Sequence, residues 1–154
     1  MILRSRDLSA LELKVAGYQF PGFSGDVFDN NWLVVEGRVA PADERAWEFR
    51  DPALLTWEVE RLSDWLEALA SGQAVEKEED FIEPNVRLEV AQRDEDTITI
   101  RVYFELESRP PWFFADGAGM DDLCIDLRVD NDDLHAAAKD LRRDLTRFPP
   151  RAVE

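Results

Sequence analysis

The chain has 154 residues, with 34 Asp and Glu against 18 Lys and Arg, and a net charge of −16; such a field repels nucleic acid and anionic lipid and attracts basic proteins. A single cysteine excludes an internal disulfide, and one Cys with one His excludes a structural zinc site of four cysteines or of two cysteines and two histidines. The length and the 45% hydrophobic content suit one domain able to bury its own core.

No apolar run approaches the ~20 residues of a membrane-spanning helix. The N-terminal MILRSRDLSALELKV alternates apolar and charged residues instead of forming the apolar region of a signal peptide. A cytoplasmic protein with no membrane partner is expected.

Leu11, Leu13 and Val15 alternate with Glu12, Lys14 and Ala16, the period of a half-buried strand. Gly17 ends it, and the segment through Asn31 reads as a loop. Residues 32–39 form a second strand, with Leu33, Val35, Gly37 and Val39 on one face. Pro41, Ala42 and Asp43 make a turn, and residues 46–49 a third strand. Asp51-Pro52 reads as a helix start, Asp as the cap and Pro in the first turn. Leu55, Val59, Leu62, Leu66 and Leu69 recur at spacings of three and four, which predicts a helix over 52–70. Gly72 is its expected stop.

The segment 74–85 is acidic and turn-like. Val86, Leu88 and Val90 open a fourth strand, and Asp94-Glu95-Asp96 mark a hairpin. TITIRVYFEL at 97–106 is the most strand-like run in the chain, rich in β-branched and aromatic residues. Pro110 and Pro111 stop it, and PPWFFADGAGMDD reads as a loop. Leu123, Ile125, Leu127 and Val129 share one face of a sixth strand, with Cys124 on the other. Asn131 is the expected cap of a last helix over 131–147, with Asp132 and Asp133 in its first turn and arginines in its last. The predicted fold is therefore α+β, two-layer, with a mainly antiparallel sheet of about six strands and two helices in the order βββαβββα. The helices should pack through Leu62, Leu66, Leu141 and Leu145.

Catalytic chemistry finds little support. His135 falls in the first turn of the last helix, where a surface role is expected, and no neighbour in sequence would activate Cys124. Asp116, Asp121 and Asp122 do not match the ligand spacing of an EF-hand loop. Neither a P-loop nor a G-x-G-x-x-G motif occurs. No catalytic residue, metal or cofactor is assigned.

Two acidic concentrations remain: nine acidic residues against three basic ones in 76–96, and seven Asp against one Arg in 115–133. Of the aromatics, Tyr18, Phe20, Phe28 and Trp32 are expected to cover the ends of the sheet. Trp112, Phe113 and Phe114 are three adjacent rings that cannot all point inward. The candidate partner-binding residues are therefore Glu78, Glu79, Asp80, Trp112, Phe113, Phe114, Asp116, Asp121 and Asp122.

Several motifs occur in a distinctive order: GYQFP at 17–21, DNNWLVVEG at 29–37, WEF at 47–49, DPALLTWEV at 51–59, FIEPN at 81–85, the long strand, and Phe148-Pro149-Pro150-Arg151. In that order, over residues 11–151, they resemble the WapI-type immunity proteins of bacterial polymorphic, contact-delivered toxin systems. The resemblance implies a cytoplasmic immunity protein that binds and blocks the toxic C-terminal domain of a partner, which in the founding system is a nuclease acting on tRNA. It brings no catalytic residues and no cofactor. A basic toxin domain is then the expected partner, with no direct contact to nucleic acid. The shared motifs read as fold signatures, with the partner-reading surface expected outside 17–39. The competing readings are a non-enzymatic binding or regulatory module for another basic protein or a small ligand, and an enzyme using carboxylates.

Overall fold

The period-two segments become strands, and each strand pairs with its neighbour in the chain. The computed structural model describes residues 1–114 and 122–152, with Phe114 described by its backbone alone. Strands β1 (Ile2–Arg4), β2 (Ala10–Tyr18), β3 (Trp32–Ala40) and β4 (Trp47–Leu55) form one antiparallel sheet in chain order. Strands β5 (Glu78–Glu79), β6 (Val86–Arg93), β7 (Ile98–Phe104) and β8 (Leu123–Val129) form a second. A one-turn helix α1 (Val27–Asn31) precedes β3, and the long helices α2 (Thr56–Ala70) and α3 (Asn131–Arg147) follow the two sheets. Each half of the chain is thus a four-stranded meander ending in a long helix.

The fold is α+β and antiparallel as expected, but the described residues form eight strands in two sheets where one sheet of about six was predicted. The two extra strands, β1 and β5, span three and two residues, too short to display a period.

The apolar faces of both sheets and both long helices merge into one buried cluster. Leu62, Leu66 and Leu141 are buried in it, as the stripe spacing implies, while Leu145 packs at its margin. Helices α2 and α3 lie against each other, and the Ser63 hydroxyl donates across the seam to the Ala138 carbonyl at 3.0 Å. On the solvent side of that seam Arg142 pairs with Asp64 at 3.1 Å and His135 Nδ1 lies 3.0 Å from Glu67.

Three boundaries depart from the sequence reading. Asp51-Pro52 lies inside β4, with Pro52 opposite Val34 beside an irregularity in the ladder. A proline fits there because β4 is an edge strand and the irregularity needs no ladder bond from it. Helix α2 starts four residues later, where Glu58 Oε2 accepts from the Leu55 N–H at 2.9 Å, the reach-back half of a capping box. The 17–31 loop contains α1, which Asp26 caps by accepting from the N–H groups of Phe28 and Asp29 at 2.8 and 3.0 Å. Helix α3 is capped by Asp130 and not Asn131: Asp130 and Asp133 exchange side-chain to backbone bonds at 2.9 and 3.2 Å. In two further places the strand-like run ends at Phe104, and the 110–114 loop holds a 3-10 turn over Pro111–Phe114. Gly72, at φ +70°, ends α2 as expected.

Candidate interaction surface

Strand alternation sends polar residues of β5–β8 to the outer face of the second sheet, where they neutralise one another. Arg101 grips Asp126 with two bonds of 2.7 and 2.9 Å. Lys77 lies 2.7 Å from Glu89, which also accepts from the Tyr103 hydroxyl at 2.7 Å. Lys77, then Tyr103, hold the Glu89 carboxyl below its ordinary range. Arg87 pairs with Glu78 at 3.3 Å and stacks over the Tyr103 ring at 3.8 Å. Cys124, opposite Tyr103 on this face, has its thiol pushed up by burial, the reverse of what a nucleophile needs.

The residues singled out from the sequence fall in three places. Glu78 and Asp80 are exposed on the β5 edge, whereas Glu79 is buried and bonded to Arg61 at 2.8 Å. Arg61 also donates to the Asp80 carbonyl. Trp112 is half-buried, edge-on to Trp47 at 6.4 Å, with Arg45 over its ring at 4.4 Å. Phe113 lies under Arg109 at 4.9 Å. Asp122 is exposed. Asp116 and Asp121, and the side chain of Phe114, lie outside the described residues. The β5 edge and the Trp112 turn do not share a groove: the one beside Trp112 is lined by residues of β3, β4, the turn joining them, and Pro111 and Trp112 themselves.

A different concentration was not legible in the sequence. The end of β2, helix α1, the middle of β4, the loop before β6 and the turn after β7 enclose an open groove of about 480 Å³. Asp29, Asp51, Glu83 and Glu107 line it together with Phe20, Trp32 and Leu106. Local structure fixes these positions. The Ser108 hydroxyl lies within hydrogen-bond reach of the Asn85 and Glu105 carbonyls, the Glu105 N–H donates to the Asn85 carbonyl at 2.9 Å, and Trp47 Nε1 donates to the Ser108 carbonyl at 2.8 Å. The turn carrying Leu106 and Glu107 is thereby bound to the loop carrying Glu83 and to β4. Asn85 is fully buried, and its amide nitrogen lies 3.2 Å from Asp51 Oδ2 and 3.5 Å from Glu107 Oε2. Burial, then the charges of Glu107 and Glu83, raise the Asp51 carboxyl above its ordinary range.

The aromatic loop beside the groove is divided. Tyr18 packs edge-on to Phe148 at 5.7 Å, with Arg151 stacked on its ring at 3.3 Å. Phe20, Phe23 and Phe28 instead remain 43%, 69% and 45% exposed. Phe20 and Phe28 thus do not cover the sheet end as expected, because Asn30 bonds Ser24 through both backbone groups and Arg151 bonds the Phe20 and Pro21 carbonyls at 3.1 and 3.2 Å. The backbone is held in place while the rings face outward.

Among the described residues, no three His, Cys, Asp or Glu side chains come together as a metal cage, and no helix is long and apolar enough to cross a membrane. A sequence model described as the immunity protein WapI-like family matches residues 1–149. No curated protein and no solved structure matches the chain.

Proposed function

The chain belongs to the WapI-like immunity protein family, and from that premise we propose that it binds and neutralises the toxic C-terminal domain of a cognate contact-delivered toxin. The match over 149 residues carries this reading. The charge of −16 supports a basic toxin domain as partner. A nuclease domain holds phosphates with cationic side chains, and an acidic inhibitor occupies the same field without performing chemistry. Neutralisation by occlusion in the cytoplasm needs neither cofactor nor catalytic residue.

Within this reading, the exposed carboxylates Glu78, Asp80 and Asp122 steer the toxin during approach, and Trp112 and Phe113 lie at the rim of contact. Steering charges act on association rate and salt dependence more than on dissociation.

The test is co-expression of this chain with the toxic C-terminal domain of a contact-delivered toxin from a neighbouring gene. The chain should co-purify with that domain and restore growth to cells expressing it. Lys reversal of Glu78, Asp80 and Asp122 together should slow association and flatten its dependence on salt. Failure of the wild-type chain both to bind and to protect would overturn the immunity reading.

A further inference from the structure

We propose that the groove between β4, α1 and the turn after β7 is the seat of an arginine side chain of the toxin domain, held between Asp51 and Glu107. This rests on the immunity reading above and names its contact.

The argument starts from what the groove lacks. On the second sheet and its edge several acidic side chains have cationic partners: Glu78 with Arg87, Glu79 with Arg61, Glu89 with Lys77, Asp126 with Arg101. Among the described residues, none of Asp29, Asp51, Glu83 and Glu107 has a cation in ion-pair range, although all four line one groove. Asp51 stands against the charges of Glu107 and Glu83 with no cation between them, which opposes the folded state.

Asn85 supplies the second observation. Among the described residues, its fully buried amide nitrogen is the neutral side-chain donor bonded to Asp51 and Glu107, while its Oδ1 has no partner. The groove is rich in acceptors and short of donors, so its hydrogen bonding is unfinished in the free protein.

The missing group is an extended organic cation. The carboxylates are not gathered into a metal cage. The groove is open, and Phe20 and Trp32 line it beside the acids. A guanidinium fits this combination: it is planar, carries five donors, pairs with carboxylates and stacks on aromatic faces. Leu106 adds an apolar contact at the rim. It is 47% exposed and held at φ 50°, a conformation uncommon for leucine.

The sequence motifs meet in this groove, against the expectation that the partner is read outside 17–39. Seven of the nine lining residues, all but Leu106 and Glu107, lie within GYQFP, DNNWLVVEG, DPALLTWEV and FIEPN. Some motif residues are explained by the fold, as Asn31 is by its four hydrogen bonds. Asp29 and Glu83 have no side-chain bond among the described contacts, and a seat for a cation would give both a partner.

The test uses the full chain, labelled with ¹⁵N, so that the Asn85 side-chain amide is observed directly. Titration with argininamide should shift that resonance saturably, more strongly than lysinamide, and the isosteric variants Asp51→Asn and Glu107→Gln should abolish the shift. With the catalytically inactive toxin domain, each of these variants should bind roughly tenfold or more weakly, mainly through faster dissociation. Glu78→Gln, which removes the same charge elsewhere, should change affinity far less. Thermal unfolding confirms that each variant is folded. If the wild-type chain binds the toxin domain but Asp51→Asn with Glu107→Gln binds equally well, or if Glu78→Gln weakens binding as much, the groove assignment is overturned and the immunity reading stands. If the wild-type chain does not bind the toxin domain, the immunity reading falls. The toxin falls with it as the source of the arginine, whatever argininamide does.

Discussion

Asn31 and Arg151, 120 residues apart in sequence, are joined by two hydrogen bonds: Asn31 Nδ2 donates to the Arg151 carbonyl at 2.7 Å and the Arg151 N–H donates to Asn31 Oδ1 at 2.8 Å. Asn31 also donates to the Val27 carbonyl at 2.7 Å and accepts from the Thr56 hydroxyl at 2.8 Å. One buried amide therefore ties the end of α1, the start of α2 and the segment after α3. Its donors meet carbonyls and its oxygen meets donors, which fixes its orientation. Asn31→Ala should cost about 3 kcal/mol, because it strands buried polar groups. Asn31→Asp should cost at least as much at pH 7, since a carboxylate would then face two carbonyl oxygens. Urea unfolding checks both: the midpoint should fall with the slope unchanged.

Gly37 and Phe49 are partners in the β3–β4 register, and the ring lies over the glycine. A Cβ on Gly37 would come within 2.1 Å of the Phe49 ring. The ring is 7% exposed and packs edge-on to Phe104 at 6.5 Å, so shifting it off the glycine would disturb that contact. Gly37→Ala should destabilise by about 1–3 kcal/mol as an overpacking change, despite alanine's better strand propensity. Phe49→Leu made alongside it should cost less than the sum of the two single changes, a coupling that a double-mutant cycle reads directly.

These two positions show what the sequence could reveal and what it could not. Periodicity located the six longer strands and both long helices, since each buries a face of its own. The motif DNNW and the terminal Pro-Pro-Arg were visible as separate words, but nothing local says that Asn31 and Arg151 touch. Asp51-Pro52 misled because a helix cap and a proline at an edge-strand irregularity look alike in sequence, and only pairing with Val34 separates them. Asp26 was the missed signal for α1: an Asp followed by a short polar-apolar run is a capping pattern. The groove is harder still. Asp29, Asp51, Glu83 and Glu107 are each unremarkable in an acidic chain. Their meeting depends on two loops and a turn brought together by Asn85 and Ser108. The sequence-based candidates were chosen by local charge density, and density does not distinguish acids with partners, such as Glu79, from acids without.

Cys124 and His135 test the absence of chemistry. The thiol is pushed up by burial, and the imidazole lies beside Glu67 on the α2–α3 seam, far in sequence from any groove residue. Cys124→Ser and His135→Gln should both retain toxin binding and cell protection. Growth assays with the toxin co-expressed read this. Loss of protection by a variant whose melting temperature is unchanged would point to a chemical role.

Asp51 separates folding from binding most sharply. Its carboxyl is raised above the ordinary value of 3.8 by burial and by Glu107 and Glu83. The folded state therefore holds this proton more tightly than the unfolded chain does. Stability associated with the protonated form is present below the unfolded value and is lost as pH rises through the higher folded value. Asp51→Asn keeps an acceptor for Asn85 but removes the charge. It should leave stability nearly unchanged well below pH 3.8 and raise the unfolding midpoint at pH 7, where the wild-type carboxylate is ionised against its neighbours. The same variant should bind the toxin domain more weakly. Gain in stability with loss of affinity is the behaviour of a group retained for a partner. A purely structural Asp51 would lose stability on the same change, and melting curves at acid and neutral pH beside binding measurements on one protein preparation tell the two apart.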